Sequence, residues 1–322
     1  MEVLAVIAIV GVLAALLLPT LARAREAGRR ATCQTNLQQW GLAFKMYAGE
    51  APGGTWPPVQ GSARGTTNLL AAFCLSPWTD ALYPEYVSDL HLFSCPSAPD
   101  SLSAVTLGQD LPGAMAQRPW LAGRSYAYLG WVIDKADAPL LPVSAFPGAA
   151  LLAGVLGADI NPALTFVSAQ LIGGLDAQLR AHPADTLLAT QLQEVLDQDI
   201  EDVAPHPDTG DSLGNGSGNT IFRLREGIER FLITDVNNAA AARQAQSEVW
   251  AMFDQTVAIG SGAGTNHQPG GANVLYLDGH VAYLPYTHGP YDPQVAAWTD
   301  GPASPPVSPS IARTVGALGA AR

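Results

Sequence analysis

Cysteine is scarce in this chain and widely scattered. The 322 residues hold three, Cys33, Cys74 and Cys95, with no Cys-x-x-Cys and no zinc-ligand spacing, so metal binding through sulfur is not expected. In an oxidising compartment two of them can pair and leave the third, and spacing alone leaves the pairing open. Histidine is also sparse. None of the six, His91, His182, His206, His267, His280 and His288, lies in a His-Glu-x-x-His or similar metal pattern. The Gly-Ser runs around Ser217 and Ser261 lack the strand-turn-helix setting of a nucleophile elbow, and no Gly-Lys-Ser/Thr follows either as in a phosphate loop. No assembly of base, nucleophile and metal is legible, so no enzymatic activity is expected.

Positive charge is short as well: 16 Lys and Arg stand against 28 Asp and Glu, a net charge of -12. The first 50 residues carry five basic and three acidic side chains; the rest carry 11 and 25. An acidic body repels phosphate backbones, which excludes nucleic acid as the expected partner. A charged fraction of 14% with 32 Gly and 25 Pro fits a loop-rich body outside the cytoplasm. The length suffices for a substantial core in one large domain or two small ones.

What the chain does have is a long apolar run. Val3 to Ala22 carries no charge, and as a helix it would extend roughly 30 Å, the hydrocarbon thickness of a bilayer. A secretory signal peptide would open with a basic segment and close at a small-residue cleavage site. Here an acid, Glu2, precedes the run, and Arg23, Arg25, Arg29 and Arg30 follow it. Beyond them Leu37, Trp40, Gly41, Phe44, Tyr47 and Ala48 keep three-and-four spacing. The two segments therefore read as one helix ending at Gly49, where the sequence GEAPGG stops it. Pro19 predicts a kink or a locally melted turn. Arginines placed after the span would put the acidic body in the cytoplasm, a conflict that a basic leader before residue 1 would remove.

The segment EVLAVIAIVGVLAALLLPTLARAR resembles the N-terminus of the type IV pilin-like and pseudopilin proteins. More narrowly, the chain is similar to the group of such proteins from Planctomycetes and Verrucomicrobia that carry a C-terminal His-x9-Asp-Gly motif. Its recurrent segments are matched by CQTNLQQWGLAFKMYA, LYPEYVSDLHLFSCPSAPD, SYAYLGW, RLREGIERFLITDVNN and NHQPGGANVLYLDGHVAYLPY. Two departures stand out. The leader, its Gly cleavage site and the first mature residues are absent before Glu2, which reads as a start set too late or a leader removed. Ten residues, not nine, separate His267 from Asp278-Gly279.

The resemblance implies a structural subunit of a pilus-like filament or a type II secretion pseudopilus, a homo-oligomer assembled by bundling of the apolar helices. It implies a prepilin peptidase and assembly machinery as partners, prepilin-type N-terminal methylation, residence in the inner membrane before assembly, and the periplasm or cell surface afterwards. Glu2 would pair with a neighbouring subunit's N-terminal amine and fix register; the plainer reading is an acid favoured by the helix dipole. Cys33 and Cys95 fall in segments matching the family's and Cys74 does not, so a Cys33–Cys95 disulfide is implied. A C-terminal calcium site, found in some pseudopilins, is weakly matched here by Asp235, Asn237 and Asn238, or by Asp208 and Asp211, without a dense Asp-x-Asp loop. No other cofactor is expected. The contrasting reading is a membrane-anchored binding module, for a polysaccharide for example, with the helix as a tether.

The expected fold class is α+β: a long N-terminal helix (1–50) packed on an antiparallel β-sheet head (51–286) with additional helices. A helix is expected from Asn161 and Pro162 to about His182, burying Ala163, Phe166, Val167, Leu171 and Leu175. A second is expected over 185–203, and 204–220 reads as an exposed loop. The apolar stretch 149–174, interrupted by Asp159, Asn161 and Pro162, reads as core and not as a second span. NVLYLDGHVAYL predicts a hairpin (273–284) on a two-residue type I′ turn at Asp278-Gly279, with Leu277 opposite His280 and Tyr276 opposite Val281. In that register Leu275, Leu277, Ala282 and Leu284 share one face. Asp278 is expected to shape the turn and His267 to bond the loop leading into the hairpin. From 287 onward the Pro-, Ala- and Ser-rich tail is expected to lack structure.

Overall fold

A computed structural model describes residues 2–61, 74–98, 123, 125–135, 140–148, 166–182, 189–228, 232, 246–254, 267, 271–285, 291–292 and 297–298. It is an α+β fold dominated by one helix, α1 (Glu2–Glu50, 49 residues), roughly 70 Å long. The helix runs through Pro19 with no melted turn. Pro19 has no N–H to give the carbonyl four residues back. On the next residue, Thr20 Oγ1 donates to Leu17 O at 2.8 Å.

The head is built on a four-stranded antiparallel sheet in the order β3 (Tyr126–Tyr128), β6 (Trp250–Asp254), β7 (Gly271–Tyr276), β8 (Val281–Pro285). Three short pairs flank it: β1 (Val59–Gln60) with β2 (Cys74–Pro77), β4 (Leu141–Pro142) with β5 (Phe166–Val167), and β9 (Tyr291–Asp292) with β10 (Ala297–Trp298). The last lies in the tail expected to be unstructured, where Tyr291 and Trp298, both strand-favouring aromatics, stand opposite each other. A register shift between Trp250 and Met252 marks a bulge in β6 against β7.

The second half of α1 lies across β6, β7 and β8. Cys33, Leu37, Trp40, Phe44 and Ala48 are buried at three-and-four spacing, as the pattern requires. Trp40 sits edge-on to Phe93 with centroids 4.5 Å apart and gives its indole N–H to Leu92 O at 3.3 Å. Phe44 packs between Trp56 and Tyr128, with centroids 5.3 and 5.0 Å away. Such aromatic packing contributes area burial plus about 0.5–1.5 kcal/mol per well-placed pair.

Four further expectations are corrected. The hairpin register is one residue off: Leu275 pairs with Val281 and Asn273 with Tyr283. Gly279 N donates to Tyr276 O at 2.9 Å, Tyr276 N donates to His280 O at 3.0 Å, and Gly279 has φ +94°. This is a three-residue loop, a turn through Leu277 and Asp278 followed by a left-handed glycine, in place of the type I′ turn. The shift brings Asn273, Leu275, Val281 and Tyr283 onto one face, the one α1 covers.

Next, the helix expected from Pro162 is Ala169–Ala181, because Phe166 and Val167 pair with Leu141 and Pro142 as β5. Its buried residues include Ile172, Gly173, Asp176 and Ala177, with Leu171 and Leu175 only partly covered; Asn161 to Ala163 lie outside the described residues. Among the described residues the helix expected over 185–203 is Ala189–Leu196, and it stops short of 203 because Ile200 bridges to Ile221; residues 185–188 lie outside the described residues. The 204–220 segment is irregular but not wholly exposed. His206, Leu213 and Asn215 are buried, and Lys135 Nζ donates to Ser212 O and Gly214 O at 2.6 Å each. Most of the apolar stretch 149–174 lies outside the described residues.

Candidate functional site

Two features of α1 stand out. Its first half is apolar and bare: twelve large hydrophobic side chains from Val3 to Leu21 are exposed, from 46% at Leu21 to 71% at Val3. The helix is long and apolar enough to cross a membrane, and among the described residues nothing covers its apolar window. Glu2 opens this helix; its side chain lies outside the described residues.

The second feature is a polar cluster beneath the start of the other half. Glu26, Arg30 and Cys33 continue the buried stripe of Leu37, Trp40 and Phe44 towards the N-terminus. Opposite them, the 3-10 turn Leu90–Phe93, capped by Asp89 accepting from His91 N at 2.9 Å, leads into a tight turn from Cys95 to Ala98. Pro96 suits its second position. That turn points Ser97 Oγ at both Glu26 carboxylate oxygens, 3.1 Å each. Asp254 ends β6, and His267 precedes β7.

These segments converge on His267, which is fully buried. Its Nδ1 donates to Glu26 Oε1 at 2.7 Å and its Nε2 to Asp254 Oδ2 at 3.0 Å, with Cys95 Sγ 3.8 Å from Nε2. Burial alone would lower the imidazole pKa, but the hydrogen bonds to Asp254, Cys95 and Glu26 and the Asp254 charge outweigh it and hold it at about 10. The Cys95 thiol is pushed far up, by its hydrogen bond with Cys33 and by burial, although His267 pulls the other way. Asp254 Oδ2 also accepts from Asn273 N and Asn273 Nδ2, both at 2.8 Å. Asp254 Oδ1, equally buried, has no hydrogen-bond partner among the described residues.

One donor atom from each of Cys33, Cys95, Asp254 and His267 falls within 4.8 Å of every other, and all four residues are buried. The implied cysteine pair is thus brought together, as two free thiols. Asp278 does shape its turn: its Oδ1 accepts from His280 N at 3.0 Å and meets His280 Nδ1 at 2.6 Å. The described partners of His267 lie on α1, β6 and the Cys95 turn.

His267 and Asp278-Gly279 do not meet. They sit beyond opposite ends of β7, about 20 Å of strand. His267 holds Glu26, while a methyl at Gly41 would touch Leu275 Cδ1 at 3.0 Å and Gly279 Cα at 3.8 Å. The motif residues therefore pin β7 along α1 at two separated points. Asp208 and Asp211 are exposed, and Asp235, Asn237 and Asn238 lie outside the described residues. Sequence reading missed Glu26, Asp254 and Asn273. Glu26 had one local signal: with Arg30 it puts charge on the stripe that Cys33, Leu37, Trp40 and Phe44 continue.

Residues 22–84 match the model of a family described as a protein of unknown function (DUF1559), a match that begins where the apolar run ends and covers less than half of the chain. No curated protein and no solved structure matches the chain. The family match and the bare apolar helix are compatible with a pilin-like or membrane-anchored extracellular protein.

Proposed function

We propose that this chain is a structural subunit of a pilin-like filament, held in a membrane by residues 3–22 before assembly and bundled through the same residues afterwards. The head is displayed outside the cytoplasm and catalyses no reaction. The observation that carries this reading is the division of one continuous helix into a bare apolar half and a half packed on the head. An exposed apolar surface of that extent needs lipid or protein around it. A helix rigidly continued from the head also transmits the geometry of a bundle to the heads, which a flexible tether would not. Glu2, at the start of the bare half, is the residue that would fix register against a neighbour's amine, since an acid buried among helices is costly unless paired. Whether the filament is a pilus or a secretion pseudopilus is a finer choice within the same reading.

The test is inter-subunit cross-linking in the full chain. Val10→Cys, Leu13→Cys and Leu17→Cys, introduced singly and oxidised in intact membranes or sheared surface fractions, are expected to give covalent dimers. The unsubstituted chain controls for the native cysteines. Monomers at all three positions, with a folded head, would refute bundling and leave the helix as the tether of a binding module.

A further inference from the structure

We infer that Cys33, Cys95, Asp254 and His267 form a closed binding site for one thiophilic divalent cation of the zinc class, clipping α1 to the head. The site is independent of the filament reading: it uses none of residues 3–22.

The donor set is the first argument. Two thiols, an imidazole and a carboxylate are the ligand types of four-coordinate zinc, and thiolate with imidazole favours zinc over calcium or magnesium. Spacing is the second. Ligands about 2.0–2.3 Å from a tetrahedral zinc stand about 3.3–3.8 Å apart. Here His267 Nε2 lies 3.0 Å from Asp254 Oδ2 and 3.8 Å from Cys95 Sγ, and all four donors lie within 4.8 Å of one another. The two His267 contacts stand within a few tenths of an ångström of that range, and the widest separation has to close by about 1 Å to complete the shell.

The surroundings are the third argument. Asp254 is fully buried, and its Oδ1 has no hydrogen-bond partner among the described residues. An unpartnered buried carboxylate oxygen is costly, and a cation bound by the same carboxylate offsets that cost. His267 gives Nδ1–H to Glu26, which Ser97 holds in turn, leaving Nε2 towards the cluster. A carboxylate behind a ligating histidine fixes its tautomer and orientation in metal sites generally. Asn273 fixes the Asp254 carboxylate by two hydrogen bonds to its Oδ2.

Proton balance follows from the residues. On binding, Cys33 and Cys95 each release a thiol proton, and His267 releases the Nε2 proton while Nδ1–H stays on Glu26. The two thiolates and the Asp254 carboxylate then face a dication, so three negative charges meet two positive ones. Because the four ligands come from α1, the Cys95 turn, the end of β6 and a position four residues before β7, the ion would tie together segments up to 234 positions apart in sequence.

The experiment uses the full chain purified in detergent under reducing conditions without chelator. Elemental analysis is expected to find one zinc per chain. Replacement by Co²⁺ is expected to give the thiolate-to-cobalt charge-transfer band and the intense visible bands of tetrahedral cobalt. Cys33→Ser, Cys95→Ser and His267→Gln should each lose the cobalt spectrum or shift it to fewer sulfur ligands. Glu26→Gln, a positioning change, should keep the spectrum and weaken zinc affinity about 10–100-fold. Should the ligand variants fail to fold, the unsubstituted chain decides alone. Free thiols with no bound zinc and no cobalt bands overturn the site, as does a Cys33–Cys95 disulfide in freshly isolated chain.

Discussion

The two halves of α1 share one backbone and one helical register, yet they meet opposite surroundings. From Val3 to Leu21 large apolar side chains point in every direction, all of them exposed. From Glu26 to Ala48 the covered residues occupy one stripe, and the outward face carries Gln38, Gln39, Leu42 and Met46. Hydrophobicity does not decide which half the head covers; periodicity does. A helix apolar all round cannot be satisfied by a sheet on one side and suits a medium that surrounds it, whereas a striped helix needs only one face covered. Substitutions that respect or violate this division should therefore separate two properties, stability of the head and behaviour of the helix in lipid.

The largest effect is expected at Trp40. Trp40→Ala removes a fully buried ring packed on Phe93 and Phe44 and frees the Leu92 carbonyl. It should cost about 3–5 kcal/mol of head stability, measured by denaturant unfolding of the full chain in detergent. Leu17→Ala, on the bare half, should leave that unfolding curve in place. A comparable loss from both would mean that the apolar half is packed on the head, against the division drawn here.

Next in size is the converse change. Leu13 is near the middle of the apolar run and 53% exposed. Leu13→Arg puts a charge where hydrocarbon is expected, at a cost of about 2.5–3.5 kcal/mol of insertion. The chain should shift from the carbonate-resistant membrane fraction to the extractable one while the head's melting temperature stays constant. Unchanged membrane retention would take the anchoring role away from this half.

Gly41 tests how closely the striped half approaches the sheet. A Cβ there would stand 3.0 Å from Leu275 Cδ1, whereas nothing lies within 4 Å of one at Gly11. Gly41→Leu should cost about 1–3 kcal/mol by pushing the β7–β8 hairpin off the helix. Gly11→Leu should cost the head nothing. Equal, negligible effects would show that helix and hairpin are not in contact at this point.

These contrasts also explain what the sequence revealed. The stripe of Leu37, Trp40, Phe44 and Ala48 was legible because a helix repeats its face every three or four residues, so its burial is written locally. The hairpin was legible but its register was not. Asp-Gly serves equally as a two-residue turn or as the last two positions of a three-residue loop, and only the fit of Leu275 against Gly41 distinguishes them. The strand at Phe166-Val167 was hidden because its partner, Leu141-Pro142, is 25 residues away. The Cys33, Cys95, Asp254 and His267 cluster was illegible for the same reason, magnified: each donor arrives on a different segment, so no spacing rule applies.

The smallest expected effect lies at the junction of the halves. Gly28 stands between Glu26 and Arg30 but faces open space, with no atom within 4 Å of a built Cβ. Gly28→Ala therefore adds helix propensity without meeting a neighbour and should stabilise the helix by about 1 kcal/mol. Gly41→Ala gains the same propensity but presses on Leu275, so its net gain should be smaller. Paired denaturant curves of the two variants measure the difference between a helix in the open and a helix against a sheet. If Gly28→Ala proved the less stabilising of the two, the junction would be covered by something other than this chain's own head, and the bare region would extend past Ala22 to residue 28.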